Sequence, residues 1–278
     1  DMEVIETIVN FKNTHQQLDG TLGFVPTMGY LHEGHLALVR RAKAENDVVV
    51  ASIFVNPTQF GPREDFQEYP RDMNRDLDLL RREGVSLVFT PSPQDIYPEG
   101  YDTYIEVGSV TQKLEGVYRP GHFKGVATVV AKLFNIVKPS RTYFGQKDAQ
   151  QVVVIKKMAK DLDIDTEIIV VPTVREADGL AMSSRNSYLD PQERIAALVL
   201  WKAIYLAREM FGSGEKDAGK IKQSITSMIN QEPLAKIDYI SLAHPETLQE
   251  LTLVDKGSLF SLAVLIGKTR LIDNILLD

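Results

Sequence analysis

The hydrophobic positions in the first part of the chain alternate between short continuous runs and segments with helical spacing. Two apolar runs, at residues 22–25 and 48–55, are typical of strands that are covered on both faces. Segments at 36–46 and 71–83 follow them, and their apolar residues recur three or four positions apart. This alternation predicts an α/β fold, a Rossmann-like doubly wound parallel sheet.

The same alternation continues to about residue 171. The pattern predicts further strands at 86–90, 141–144 and 167–171, helices at 126–137 and 149–162, a weakly helical segment at 3–17, a possible strand at 103–107, and loops at 91–100 and 116–125. We find no internal repeat and no low-complexity segment.

The pattern changes after Pro172, where a polar, loop-like segment covers residues 175–186. Asp190 and Pro191 then form a helix-start signal, and that helix is expected to run to about residue 210. A helix at 217–230 and strands at 237–242, 259–266 and 269–274 complete a smaller C-terminal α+β domain. We therefore predict one domain at 1–174 that binds nucleotide and substrate, and a lid domain at 175–278.

Composition narrows the class of protein. Apolar residues make up 44% of the 278 positions and the formal charge is −7, which indicates a globular protein and argues against a general nucleic-acid binder. The absence of cysteine excludes disulfides, thiolate nucleophiles and Cys-ligated zinc. No apolar run reaches the roughly 18 residues of a membrane span, and the acidic start lacks signal-peptide character. We expect a cytoplasmic enzyme without a membrane partner.

A turn with two histidines and two glycines joins the first strong strand to the next helix. Its residues Gly29, His32, Gly34 and His35 precede a helix N-terminus, whose free N–H groups suit an anion. The glycines would let the backbone approach that ligand closely, and the imidazoles could bond phosphate oxygens. A zinc site is a weaker interpretation, because no third ligand has suitable spacing. The turn predicts a nucleotide-phosphate site.

Four more polar segments contribute to a resemblance to a known family. They lie at 54–60, 118–126, 143–151 and 175–186, and with the turn at 26–36 they resemble the His-x-Gly-His nucleotidylyltransferase superfamily. More narrowly, the five blocks together are similar to the pantothenate synthetase family. Among these, residues 182–185 resemble the superfamily's flexible phosphate loop, which implies that the C-terminal domain closes over ATP.

The resemblance implies a two-step ligation in which ATP adenylates pantoate and β-alanine then attacks the acyl adenylate, giving pantothenate, AMP and pyrophosphate. It implies catalytic roles for His32, His35, Lys147 and Arg185, with His35 as proton donor. It implies substrate binding by Asn56, Gln59 and Gln151. The implied ATP-binding residues are Met28, Gly29, Tyr30, Leu31, His32, Glu33, Gly34, His35, Gly145, Gln146, Lys147, Asp148, Val174, Met182, Ser183, Ser184 and Arg185.

The resemblance also implies Mg²⁺ and a homodimer. Asp76, and less so Asp72, are candidate metal ligands, although ordinary solvated helix carboxylates are the favoured interpretation. Gln146 stands where the family usually has Glu, which would remove a charge from the nucleotide pocket. Asp148 could bond a ribose hydroxyl or orient Lys147. Two alternatives remain: a nucleotidylyltransferase that stops at the nucleotide conjugate, and a non-catalytic nucleotide-binding module.

Overall fold

Six apolar segments form one parallel sheet in the computed structural model, which describes residues 1–278. The strands of this sheet are β1 (Glu3–Ile5), β2 (Leu22–Thr27), β3 (Val48–Ile53), β4 (Leu87–Phe89), β5 (Arg141–Gly145) and β6 (Glu167–Val171). Their order is β1-β4-β3-β2-β5-β6, and every neighbouring pair is parallel. The chain therefore winds from β2 to one side and later returns to the other, which confirms the doubly wound fold.

Helices cover both faces of the parallel sheet, and apolar side chains fill the space between the layers. The helices are α1 (Ile8–His15), α2 (Glu33–Glu45), α3 (Met73–Arg82), α4 (Pro93–Ile96), α5 (Glu115–Tyr118), α6 (His122–Val137) and α7 (Ala149–Asp161). The most apolar of them, α6, is buried along most of its length. None of the helices of this protein combines the length and apolarity that crossing a bilayer requires.

The C-terminal part contains a second, smaller sheet, as the pattern predicted. Its elements are α8 (Pro191–Ala196), α9 (Leu198–Gly212), α10 (Ala218–Ile229), β7 (Ala235–Ala243), β8 (Leu259–Ile266) and β9 (Thr269–Leu276). The three strands are antiparallel with β8 in the centre, and they share an apolar core with the helices. Asp190 caps α8 and Pro191 opens it, so that helix start is confirmed. The division at residue 174 stays a prediction.

Two predictions for irregular segments were wrong, and a third, for the start of the chain, was right only in part. The segment at 103–107 pairs with no strand, because its Ile105 N–H donates to the Thr128 hydroxyl of α6 instead. The predicted loop at 116–125 contains α5 and the start of α6, since Gly121 takes a left-handed conformation (φ 81°) and serves as the N-cap of α6. The weakly helical segment at 3–17 does contain a helix, α1 (Ile8–His15), but its first residues form strand β1, which pairs with β4 at the edge of the sheet.

A buried ion pair connects α5 to the small C-terminal sheet. The Glu115 carboxylate of α5 accepts two hydrogen bonds from the Arg270 guanidinium of β9, at 2.6 and 2.7 Å. The hydroxyl of Tyr239 on β7 also donates to this carboxylate. Since Glu115 is only 6% exposed, the contact holds the small sheet against the end of α5.

Candidate functional site

The main cleft of the protein opens at the carboxyl ends of β2 and β5, where the winding of the sheet reverses. This is the position at which open parallel sheets bind ligands. The polar and charged residues that line it include His32, His35, Asn56, Gln59, Arg119, His122, Lys147, Asp148, Gln151, Thr173, Ser183, Ser184 and Arg185. The cleft thus gathers residues from all five segments that carry the family resemblance.

The histidine turn is built by backbone hydrogen bonds to the imidazoles. The Gly34 N–H donates to His32 Nδ1 at 3.0 Å, and the His32 N–H donates to His35 Nδ1 at 3.1 Å. A side chain on Gly34 would collide with the His32 ring, because its Cβ would lie 2.7 Å from Cε1. Gly34 therefore makes room for an imidazole, whereas the sequence suggested room for the ligand. Gly29 has φ +79°, a conformation that favours glycine.

These bonds fix how the two rings can act. A backbone N–H can only donate, so Nδ1 of both His32 and His35 is an acceptor without hydrogen. Each neutral ring then carries its hydrogen on Nε2. The two ring centroids are 4.0 Å apart, and both residues line the cleft. The turn therefore offers two adjacent N–H donors, which suits a polyphosphate.

Both imidazoles are held in the neutral form. Burial, assisted by the positive charge of Lys147, lowers the pKa of His32 to about 4. Burial also lowers the pKa of His35 well below its usual value, with help from His32 and Lys147. A neutral imidazole at pH 7 donates a hydrogen bond but holds no extra proton to release. A bound polyanion would raise both pKa values, because its charge favours the imidazolium.

We expect a pH titration followed by NMR to show this coupling. In the free protein the Cε1–H resonance of His32 should titrate with a midpoint near pH 4. Addition of ATP should move that midpoint upward, since negative charge stabilises the protonated ring. Because the pKa of His32 is lower in the folded protein than in the unfolded chain, the unfolded chain binds the proton more readily. The free energy of unfolding should therefore decrease as the pH falls from 6.5 towards 4. A midpoint that ATP leaves unchanged would place the triphosphate away from this ring.

The Asp76 carboxylate of α3 binds the backbone of the histidine turn. Its Oδ2 accepts the Tyr30 N–H at 2.7 Å, and its Oδ1 accepts the Leu31 N–H at 2.8 Å. Tyr30 has a positive φ of 47°, so these bonds stabilise a backbone conformation that is unfavourable for a non-glycine residue. The preceding residue on α3, Arg75, donates to the Leu31 carbonyl. Helix α3 thereby fixes the shape of the turn.

This geometry corrects both interpretations of Asp76. The carboxylate is 1% exposed, so it is not solvated, and its oxygens already bind backbone N–H groups, so it is not placed as a metal ligand. Asp72 caps α3 by accepting the Arg75 N–H. No group of three His, Asp or Glu side chains is arranged to hold a metal. One signal was available in the sequence: Asp76 lies one helical turn before the buried Leu80.

Replacement of Asp76 by alanine is expected to lower the free energy of unfolding by about 2–4 kcal/mol, because two buried N–H groups lose their acceptor. Pyrophosphate exchange should fall with it, since the turn loses its shape. Urea unfolding and exchange assays measure the two effects. Asp78→Ala on the same helix is the matched control, because Asp78 is exposed. Recovery of Asp76→Ala activity by excess Mg²⁺ would contradict this structural role.

The segment after β5 contributes an uncompensated cation. Lys147 lines the cleft, no carboxylate lies within salt-bridge distance of its ammonium group, and its charge is felt by both imidazoles. Asp148 also lines the cleft and does not pair with Lys147. Gln146 does not line it: its Nε2 donates to Asn274 Oδ1 of β9 at 3.1 Å. The Gln146 side chain thus lies outside the cleft lining in this structure, and its part in ATP binding stays a prediction.

The predicted phosphate loop at 182–185 also borders the cleft. Ser183 and Ser184 lie beside the histidine turn, and the Ser184 hydroxyl donates to the Tyr30 carbonyl. The Arg185 guanidinium makes two hydrogen bonds to the Asp65 carboxylate, at 2.9 and 3.0 Å. Tyr188 donates to the same carboxylate. In this structure the acidic partner orients Arg185 through Nε and Nη2, and the Nη1 group keeps its donors for a phosphate.

The predicted substrate residues play different parts. Gln59 and Gln151 line the cleft, and Gln151 lies one helical turn after Lys147, as expected. Asn56 also borders the cleft, but it is 1% exposed and both ends of its amide are bound by the protein. Direct substrate binding by Asn56 stays a prediction, since the protein itself uses both ends of the amide in this structure. Its amide supports Gln59.

Several predicted ATP-binding residues lie behind the cleft surface. These are Gly29, Tyr30, Leu31, Glu33 and Gln146, none of which borders the main cleft. Leu31 is part of the apolar core, and Glu33 pairs with Arg40 on the outside of α2. The first four belong to the histidine turn and Gln146 bonds β9 instead, while Met28, Gly34, Gly145, Val174 and Met182 do border the cleft together with the polar residues named above.

Three polar residues of the site had no role assigned from the sequence. Arg119 pairs with Glu64 and approaches His122 Nε2 at 3.3 Å. Since a carbonyl only accepts, His122 Nδ1 donates to the Gln59 carbonyl at 2.9 Å. Burial lowers the pKa of His122 to about 4, which keeps this ring neutral. Asp65 was missed as well, because its partner Arg185 is 120 residues away.

Comparison with known proteins shows the family of this chain. The family model described as pantoate-beta-alanine ligase matches residues 3–276. A pantothenate synthetase from Herpetosiphon aurantiacus is 57% identical over 277 residues, which are 99% of this chain and 100% of that protein. One from Roseiflexus sp. strain RS-1 is 56% identical, with 100% of both chains covered.

Solved structures give the same result. The crystal structure of pantothenate synthetase from Thermus thermophilus superposes with a TM-score of 0.95 at 47% identity, covering 99% of both chains. A pantoate-beta-alanine ligase from Francisella tularensis, complexed with beta-gamma ATP and beta-alanine, has a TM-score of 0.84 at 40% identity. That comparison covers 99% of this chain and 98% of the other.

Proposed function

This chain belongs to the pantoate-β-alanine ligase family, and on that premise we propose roles for the residues of its main cleft. The reaction is the ATP-dependent condensation of pantoate with β-alanine to pantothenate, with release of AMP and pyrophosphate. In the first step a pantoate carboxylate oxygen attacks the α-phosphorus and pyrophosphate leaves. In the second, the β-alanine amine attacks the acyl carbon and AMP leaves.

One observation carries the assignment: the unpaired Lys147 ammonium and two neutral imidazoles face one cleft. Attack by a carboxylate on a phosphate brings two anions together, so the site must neutralise charge and align the reactants. Lys147 supplies the charge. His32 and His35 supply Nε2–H donors to the phosphate oxygens, and His35 is the proposed proton donor once bound triphosphate has raised its pKa.

The nucleotide would extend from the histidine turn across the ends of β5 and β6. The backbone of Gly145 and the side chain of Asp148 lie at one end, and Asp148 is free to bond a ribose hydroxyl because it does not pair with Lys147. Val174 and Met182 offer an apolar surface for the base. Ser183, Ser184 and Arg185 would bind the phosphates from the other side. Gln59 and Gln151 are assigned to pantoate.

Magnesium is proposed from the chemistry of a triphosphate substrate. Asp148, assigned above to the ribose, is the one carboxylate among the residues that line the cleft, so the ion would be held mainly by phosphate oxygens and water. Bound there, Mg²⁺ would neutralise charge on the leaving pyrophosphate. A homodimer and a cytoplasmic location are likewise proposed from the family resemblance, and analytical ultracentrifugation tests the first.

Pantoate-dependent exchange of labelled pyrophosphate into ATP tests the proposed function. We expect exchange in the presence of pantoate without β-alanine, because adenylation is reversible until the amine arrives. Adding β-alanine should convert the adenylate to amide and AMP. A pure nucleotide-binding module would show no exchange. A nucleotidylyltransferase would accumulate a stable nucleotide conjugate as its final product, and either outcome would contradict the proposal.

A further inference from the structure

The amide of Asn56 has a fixed orientation. Its Oδ1 accepts the Thr58 backbone N–H at 3.3 Å, and its Nδ2 donates to the Gly125 carbonyl at 3.1 Å. Since a backbone N–H only donates and a carbonyl only accepts, these two partners leave one orientation of the amide. The Tyr97 hydroxyl then donates to Oδ1 at 2.7 Å, and the Thr58 hydroxyl at 2.9 Å.

This orientation is passed on to Gln59. The Asn56 Nδ2 group donates a second hydrogen bond, at 3.0 Å, so the atom of Gln59 that faces it must be the acceptor Oε1. The Gln59 Nε2 group is consequently turned towards the cleft. Its one protein partner is the Met28 sulfur at 3.4 Å, a weak acceptor that an oxygen of a bound substrate can replace.

Tyr97 lies at the far end of this series of hydrogen bonds and does not border the cleft. Burial raises the pKa of Tyr97 to about 12, so its hydroxyl remains a donor throughout the working range. It is also within 3.0 Å of the Thr58 hydroxyl. Without the Tyr97 hydroxyl, one of the bonds that hold the Asn56 amide in place is lost.

We propose that Tyr97 is a positioning residue that acts through Asn56 to hold Gln59 with its Nε2 donor facing the carboxylate substrate. Gln59 is then selective for acceptor atoms, as carboxylate and hydroxyl oxygens are, and it presents no oxygen that would repel them. This inference rests on the proposed function, because it takes pantoate as the occupant beside Gln59.

The test compares Tyr97→Phe with Tyr101→Phe in the pyrophosphate exchange assay. The Tyr101 ring packs edge-on against Tyr97 at 5.2 Å, but its hydroxyl makes no hydrogen bond within the protein, so it is a matched control. Tyr97→Phe should raise the KM for pantoate roughly five- to tenfold and leave the KM for ATP unchanged. Tyr101→Phe should change neither constant. Equal behaviour of the two variants would overturn the proposal.

A double-mutant cycle separates positioning from a general structural role. If Tyr97 acts through Gln59, Tyr97→Phe should have no further effect on the pantoate KM in a Gln59→Ala background. An effect of the same size in both backgrounds would overturn the proposal, and so would an equal rise in the KM for ATP.

Asn56→Asp provides a second variant that does not depend on Tyr97. An aspartate at position 56 cannot donate to Gln59, so Gln59 would reverse its amide and turn Oε1 towards the substrate. The pantoate KM should then rise more than tenfold. An unchanged value would count against the proposed polarity. Absence of exchange in the unsubstituted protein would defeat the proposed function itself, whereas exchange with normal Tyr97→Phe kinetics would defeat only this inference.

Discussion

Substitution of His35 by alanine is expected to slow pantoate-dependent pyrophosphate exchange by a factor of about 10² or more. The reason is that this side chain provides two functions at once. Its Nδ1 accepts the His32 N–H and so completes the turn, while its Nε2–H is the proposed donor to the phosphates in the cleft. Exchange rates at saturating ATP and pantoate measure the loss.

His35→Asn separates the two functions. An asparagine at this position can place its Oδ1 where Nδ1 was, so the bond to the His32 N–H is kept while the Nε2 donor is lost. We expect this variant to retain the melting temperature of the unsubstituted protein and still to lose exchange as strongly as His35→Ala. Full activity of the asparagine variant would show that His35 serves the turn alone.

The second large effect is expected at Arg185. Arg185→Ala should lower the exchange rate by about 10²-fold, because a guanidinium that binds phosphate in the transition state is removed. The structure complicates this substitution, since it leaves the Asp65 carboxylate without its partner beside the phosphate site. Repulsion between that carboxylate and ATP could then cause the loss.

The double variant Arg185→Ala/Asp65→Asn resolves this point. It removes the remaining negative charge together with the guanidinium, and Tyr188 can still bond the neutral amide at position 65. Persistent loss of exchange in the double variant is the outcome expected for a phosphate-binding arginine. Recovery of the rate would mean that Arg185 serves to neutralise Asp65.

Local patterns were sufficient to predict most of the fold. The runs that became β3 and β8 are almost entirely apolar, each with a single serine, because the strands are buried. The start of α8 follows from a cap and a proline that act within one turn of helix. β1 was missed because three residues carry too little pattern, and they form a strand only by pairing with β4. The segment at 103–107 is the opposite case, with strand-like residues but no partner.

The residues of the site also fall into those that local patterns predicted and those that they missed. The histidines, Lys147 and the two glutamines were found because they lie in contiguous motifs, and the structure brings them to one cleft. The groups that orient them were missed or misassigned, because each acts across a long stretch of chain. Asp76 reaches the turn from 45 residues away, and Tyr97 reaches Asn56 from 41. No local spacing encodes such pairs, whose geometry depends on how the elements pack.

The most direct test of the chemistry follows the carboxylate oxygens of the substrate. Pantoate labelled with ¹⁸O in its carboxylate is incubated with ATP, Mg²⁺ and β-alanine, and the products are examined by mass spectrometry. If a pantoate oxygen attacks the α-phosphorus, each AMP released will carry one ¹⁸O atom, and the other will remain in the amide carbonyl of pantothenate. Unlabelled AMP, or label in inorganic phosphate or pyrophosphate, would contradict adenylation of pantoate in this cleft.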